Sequence, residues 1–238
     1  MVSSSSSRII SKILSPALRF WLNSQVEEVE TLKLNIEGKD GEILKGYVSN
    51  VQLFSKAAVY KGLHLDQIEI IATGIRINIG QILRGKPFRL LEPIQVSGQI
   101  QIRERDLQKS LSSEVFLGAL NELLLLLLEN SGILTFANLL SEGDVYWQNI
   151  TLEMEQFKLE GIWKTKDEQE YEFILLSGIR LSAPSILELF AIDIQGLPSP
   201  YQLSLSQLPI DLGENIEFSR FLLSQGQLRA EGKTIISN

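Results

Sequence analysis

Residue types that could do chemistry are few, and their spacing is incomplete. The stretch GQILRGK, from Gly80 through Gly85 to Lys86, matches the first seven positions of a phosphate-binding P-loop. The eighth position is Pro87, where a Ser or Thr hydroxyl should reach magnesium, and proline also removes a backbone N–H from the cradle. A second near match ends in Gly232, Lys233 and Thr234, but its leading position is Gln227 rather than glycine. Neither predicts nucleotide hydrolysis. The lone histidine, His64, sits between Leu63 and Leu65 on an alternating stretch and has no second histidine or cysteine to share a metal. Asp167, Glu168, Glu170 and Glu172 cluster in sequence, on a charged turn and one strand face, where a solvated acidic surface is expected. Ser177 and Ser199 lack the glycine pair of a nucleophile elbow. Asn149-Ile150-Thr151 fits a glycosylation sequon, with nothing else to indicate secretion.

Composition narrows the classes further. Zero cysteine excludes disulfides, thiolate nucleophiles and cysteine-ligated metals. The net charge of −7 argues against a general nucleic-acid binder. The 238 residues are 44% hydrophobic, enough for a sizeable core, and include 40 Leu and 27 Ile. Charge is unevenly placed. Residues 1–119 carry 15 basic and 12 acidic groups, whereas residues 120–238 carry 7 and 17. The basic surplus, and with it any contact to an anionic partner, lies in the first half.

The elements that would position these groups follow from periodicity. After a Ser-rich tail at residues 1–7, residues 8–25 form an amphipathic wheel, with Arg8, Lys12, Ser15, Arg19 and Asn23 in one sector and Ile9, Ile10, Ile13, Leu14, Leu18, Phe20 and Trp21 opposite. Ser15-Pro16 has the form of an N-cap and first helical residue, so the segment is one kinked helix or two short ones. Its apolar side can dock on the core, or it can lie in an anionic membrane surface through Arg8, Lys12, Ile13, Arg19, Phe20 and Trp21. From residue 31 the period becomes 2. Alternation at residues 32–36, 43–53, 63–70, 75–79 and 96–102 predicts antiparallel strands with one covered face. Helices are predicted near residues 103–111 and 114–129, the second capped by Ser112 or Ser113 and ended near Gly132. Residues 145–163 and 171–182 are expected as a long hairpin around the charged turn 164–170, with further strand at 186–195 and 218–236. The order is helix, strands, helix, strands: an α+β pattern, read as a single domain over residues 8–238.

The 114–129 helix is apolar nearly all round, with six consecutive leucines at 123–128, and must be enclosed by protein or lipid. It can be an ordinary core helix, or its Phe116, Leu120, Leu123, Leu124 and Leu127 can line a groove for acyl chains. Arg84, Lys86 and Arg89 surround a tight turn with Phe88, either as a solvated loop or as a contact for lipid phosphate. No stretch is long and apolar enough to span a bilayer, and no secretory signal is read, so a peripheral position on the cytoplasmic side is expected.

Several segments taken together carry a resemblance: ILSPAL at 13–18 followed by Trp21, VYKGL at 59–63, IRINIGQILRGKPFRLLEP at 75–93 and ERDLQKSL at 104–111. Across residues 8–235 the chain resembles the bacterial LmeA-like phospholipid-binding family, most strongly over residues 75–111. The resemblance implies a fold similar to the tubular lipid-binding (TULIP) proteins, a long curved antiparallel sheet wrapped on a helix with lipid between them. It also implies phospholipid binding without catalysis and no cofactor beyond a bound lipid. A membrane-adjacent assembly factor whose apolar helix is ordinary core, and a hydrolase of lipid-like substrates, stand as the alternatives.

Overall fold

A computed structural model describes residues 10–131, 143–199 and 201–236. Arg8 and the expected helix stop at Gly132 lie outside these. The chain is α+β and built mainly from antiparallel strands, arranged as two sheets rather than one. The first sheet has the order β1 (Glu28–Glu37), β2 (Tyr47–Tyr60), β3 (Leu63–Arg76), β4 (Ile94–Arg103), β11 (Gln227–Ile236) and β10 (Ile216–Ser224). The second runs in sequence order through β5 (Gly143–Leu152), β6 (Gln156–Thr165), β7 (Glu170–Ala183), β8 (Ile186–Gln195) and β9 (Leu203–Asp211). The last two strands of the chain thus complete the sheet started by the first four.

Alternation decides which face is covered. On the first sheet Leu34 and Ile36 of β1, Ile70 and Ala72 of β3, and Val96 of β4 turn to one side, the inner face. A π-helical turn, Ile10–Leu14, continues into α1 (Ser15–Gln25) and packs there with the loop between β3 and β4. Ser15 is the first helical residue rather than the cap, and the proline lies at the helix start as expected.

A second, larger core surrounds α5 (Glu114–Asn130) and draws on the second sheet, on α4 (Glu104–Ser110) and on the far end of the first sheet. Ser113 caps α5, accepting from the Phe116 N–H at 3.3 Å, while its hydroxyl donates to the Lys61 carbonyl at 2.7 Å. Lys61 and Gly62 both take positive φ, the backbone that a two-residue hairpin requires, and a Cβ on Gly62 would press on Ser113 at 3.1 Å. Ser110 accepts from the His64 N–H at 2.8 Å. The β2–β3 hairpin tip is therefore pinned to the α4–α5 junction, which brings together the VYKGL and ERDLQKSL segments.

The same short helix holds an edge of the second sheet. Glu104 accepts from the Leu152 N–H at 2.7 Å, and Gln108 accepts from the Ile150 N–H and donates to the Gln148 carbonyl. These bonds satisfy β5 backbone groups that would otherwise form an open edge. Asn149 of the sequon donates to Glu160 at 2.6 Å, and Lys158 bonds the same carboxylate. The Lys158 and Asn149 hydrogen bonds hold the Glu160 carboxyl below its ordinary range.

Three expectations are corrected. Residues 145–163 are two strands, turning at residues 153–155, and 218–236 are likewise two strands. The alternation at 75–79 is not strand throughout, because β3 ends at Arg76 and Ile79 opens the short helix α3 (Ile79–Ile82). The turn at 38–41 leads into a further short helix, α2 (Asp40–Ile43), and strand resumes only at Tyr47.

Candidate lipid cavity beneath the N-terminal helix

An apolar cavity of about 320 Å³ lies between α1 and the inner face of the first sheet. Leu14 of the π-helical turn and Leu18, Trp21 and Leu22 of α1 form its roof, and Leu34, Val48, Val51, Leu53, Ile70 and Ala72 its floor. Ile77, Phe88 and Leu90 of the β3–β4 connection close one side. The Gln25 amide, the Tyr60 hydroxyl and the Trp21 indole N–H are the polar side-chain groups on its lining residues. The volume sits at the low end of the ~300–1,000 Å³ usual for ligand sites, and the wall chemistry suits hydrocarbon.

The connection between β3 and β4 is held by one buried side chain, Asn78. Its Nδ2 donates to the Pro87 carbonyl at 2.9 Å and to Gln81 Oε1 at 3.2 Å, and its Oδ1 accepts from the Arg89 N–H at 2.8 Å. Ile77 and Leu90 pair as an isolated bridge at the base. The loop beyond alternates: Phe88 and Leu90 are buried against the cavity, whereas Arg84, Lys86 and Arg89 are exposed. The ion pairs among the described residues involve other cations, leaving these three without a carboxylate partner. Gly80 opens onto empty space and the Pro87 carbonyl is committed to Asn78, so the GQILRGK stretch builds a folded loop rather than a phosphate cradle. Asn78 was missed at the sequence level. Its position between Ile77 and Ile79 reads there as the polar side of a strand.

The sequence-predicted residues divide between the two cores. Of the proposed membrane-facing set, Lys12, Arg19 and Phe20 are exposed, Phe20 at 79%. Ile13 is half-buried against the first core. Trp21 turns inward, its ring 5.3 Å from that of Phe88. The proposed acyl groove on α5 falls in the other core: Leu124 and Leu127 are 0% exposed and Leu120 is buried, with Phe116 and Leu123 packed against them. Phe116 and Leu123 keep partial exposure on that helix, and among the described residues an apolar cavity lies under α1. Leu124→Ala should cost about 2–5 kcal/mol by leaving a void, yet leave lipid uptake unchanged. Thermal unfolding together with a lipid-binding assay checks both halves.

The other chemical candidates are accounted for structurally. Ser177 is buried and donates to the Gly178 carbonyl at 2.8 Å. No group of three or more His, Asp or Glu residues able to hold a metal occurs among the described residues. No single helix among them is long and apolar enough to cross a membrane. The α4 and α5 pair, bent by 96°, has the composition for it, but α5 is packed into the core.

No curated protein and no solved structure matches the chain. The model of the LmeA-like phospholipid-binding family matches residues 6–233, nearly the whole length. An apolar cavity under α1, walled on one side by a loop that turns its cations outward, is thus set in a chain that belongs to the LmeA-like phospholipid-binding family.

Proposed function

We propose that this protein binds phospholipid at a membrane surface without chemically altering it, with an acyl chain in the cavity beneath α1 and the phosphate against Arg84, Lys86 and Arg89. The observation that carries this reading is the two-sided 77–91 loop. Phe88 and Leu90 wall the apolar cavity, while the three unpaired cations on the same loop face water. A lipid seated there would keep its chain dry and its phosphate solvated. About ten buried methylenes at ~0.8 kcal/mol each give roughly 8 kcal/mol before ordering costs. That is enough for retention without polar specificity.

Docking to the bilayer uses the same loop. Leu83 and Leu91 flank the cations and are 49% and 62% exposed. Lys12, Arg19 and Phe20 add a further exposed basic and aromatic surface on the helix side. Each basic group near an anionic surface contributes about 1 kcal/mol. The triple change Arg84→Ala, Lys86→Ala, Arg89→Ala should therefore weaken binding to phosphatidylglycerol vesicles by about 3 kcal/mol, more than a hundredfold. Wild-type binding should fall steeply as salt rises, and the triple variant should lose most of that dependence. Vesicle co-sedimentation at low and high ionic strength reads both.

The reading itself is tested by gentle purification of the full chain, organic extraction and mass spectrometry of the extract. One phospholipid per chain is expected. Lipid-free protein that also takes up no labelled phospholipid from vesicles would contradict it and would favour the assembly-factor alternative.

A further inference from the structure

The cavity beneath α1 does not end at the helix. Ile70, Val96 and Ile236 line it and also line a second apolar groove of about 310 Å³ further across the inner face of the first sheet. That groove crosses four strands. The register places Ile70 beside Gly98, Gly98 beside Gly232, and Gly232 beside Phe218. Two side-chain-free positions, on strands about 4.8 Å apart, therefore lie between two large apolar ones that lean toward them: a Cβ on Gly98 would stand 3.5 Å from Ile70 Cγ1, and one on Gly232 3.0 Å from Phe218 Cδ1. Ile68, Ile100 and Ile216 bound the trough along its length. They are only half-buried, and Gly98 is exposed.

The two glycines are required by the backbone as well. A Cβ on Gly98 would stand 2.7 Å from the Glu69 carbonyl oxygen, and one on Gly232 would stand 2.4 Å from that of Glu217. Close strand approach thus comes from the same pair of residues that lines the groove between Ile70 and Phe218.

We infer that this glycine-floored trough is the seat of the second acyl chain of a two-chain phospholipid whose first chain lies beneath α1, the chains diverging at Ile70, Val96 and Ile236. The inference rests on the phospholipid reading above and adds the ligand's class: two hydrocarbon chains on one head, in preference to a fatty acid or a lysophospholipid. Adjacency of the two apolar volumes, which share three lining residues, is what selects this occupant. The first cavity is at the small end for a ligand site, and a trough of nearly equal volume borders it.

Thr234 lies on the trough, on the same face as Gly232 and Ile236, and does not line the α1 cavity. Thr234→Trp should fill the trough alone, and Ile216→Trp does so from the neighbouring strand if the first variant fails to fold. Affinities for dioleoyl-phosphatidylglycerol and for its one-chain lysophospholipid, the latter below its micellar concentration, are measured on the full-length wild type and variant. The wild type should prefer the two-chain lipid by tenfold or more. The folded variant should bring the ratio close to one through loss of two-chain affinity, with one-chain affinity unchanged. A folded variant that keeps the preference, or a wild type without any, overturns the second seat while leaving the α1 site standing. A wild type that binds neither lipid overturns the phospholipid reading itself.

Discussion

Val51→Trp should abolish phospholipid retention while leaving the protein folded. Val51 is half-buried on β2 and lines the cavity from the sheet side. An indole there occupies vacant volume instead of displacing packed neighbours, so the usual overpacking cost of about 1–3 kcal/mol should be at its lower limit. The acyl chain loses its place entirely. With roughly 8 kcal/mol of methylene burial at stake, affinity should fall by at least a hundredfold. Leu53→Ala, on the same strand and lining the same cavity, is the informative contrast, since it enlarges the cavity and should retain lipid. Binding of a fluorescent phospholipid, read beside circular dichroism and thermal unfolding, separates loss of the site from loss of the fold. Equal lipid binding by wild type and Val51→Trp would place the lipid elsewhere.

Asn78→Ala should be among the most destabilising single changes in the first core. It removes three hydrogen bonds and leaves the Arg89 N–H and the Pro87 carbonyl without their partner. A hydrogen bond contributes about 0.5–1.5 kcal/mol net, so losing three gives a total near 3 kcal/mol, a fall in Tm of roughly 6–12 °C for a chain of this size. The consequence for function is larger than the stability change. Without Asn78 the loop no longer fixes Phe88 and Leu90 against the cavity or holds Arg84, Lys86 and Arg89 in one place. Lipid affinity and vesicle binding should fall together. Asn78→Asp keeps the acceptor for the Arg89 N–H and loses the donor to Pro87, so its Tm should lie between the other two. A fully stable Asn78→Ala protein with normal vesicle binding would show that the loop is held by other contacts.

The regular parts of this fold were legible before the structure because local rules decide them. The α5 helix and its Ser113 cap follow from an apolar run behind a serine, and the β1 and β4 alternation follows from one covered face. What escaped was punctuation made without glycine or proline. Residues 145–163 read as one strand because the turn at 153–155 is Glu-Met-Glu, in which Glu155 itself supplies the positive φ. Asn78 escaped for a related reason, since alternation cannot show that the chain leaves the sheet at Arg76.

The site was half legible, and the reason is physical. Amphipathic spacing gave α1 an apolar side, and the loop cations stood out by their crowding around Gly85. Hydropathy does not distinguish an apolar wall that is packed from one that is vacant. The α5 leucines and the α1 leucines are the same chemistry. Leu124 and Leu127 belong to the larger core, which draws on both sheets, whereas Leu18 and Leu22 face a gap that depends on the separation of helix and sheet. Trp21 illustrates the same limit: an aromatic at the edge of an amphipathic stripe fits a bilayer boundary, but here it meets Phe88 at the cavity wall.

The central claim is the location of the acyl chain, and photo-crosslinking measures that location directly. A phosphatidylglycerol carrying a diazirine near the end of one acyl chain is loaded into the full-length wild type, irradiated, and the adducts are mapped by peptide mass spectrometry. Adducts are expected on α1 and on the strand facing it, at Leu18, Leu22, Val51 and Leu53, with α5 unlabelled. Adducts concentrated on residues 116–127, with α1 unlabelled, would contradict the account and return the lipid to the central helix.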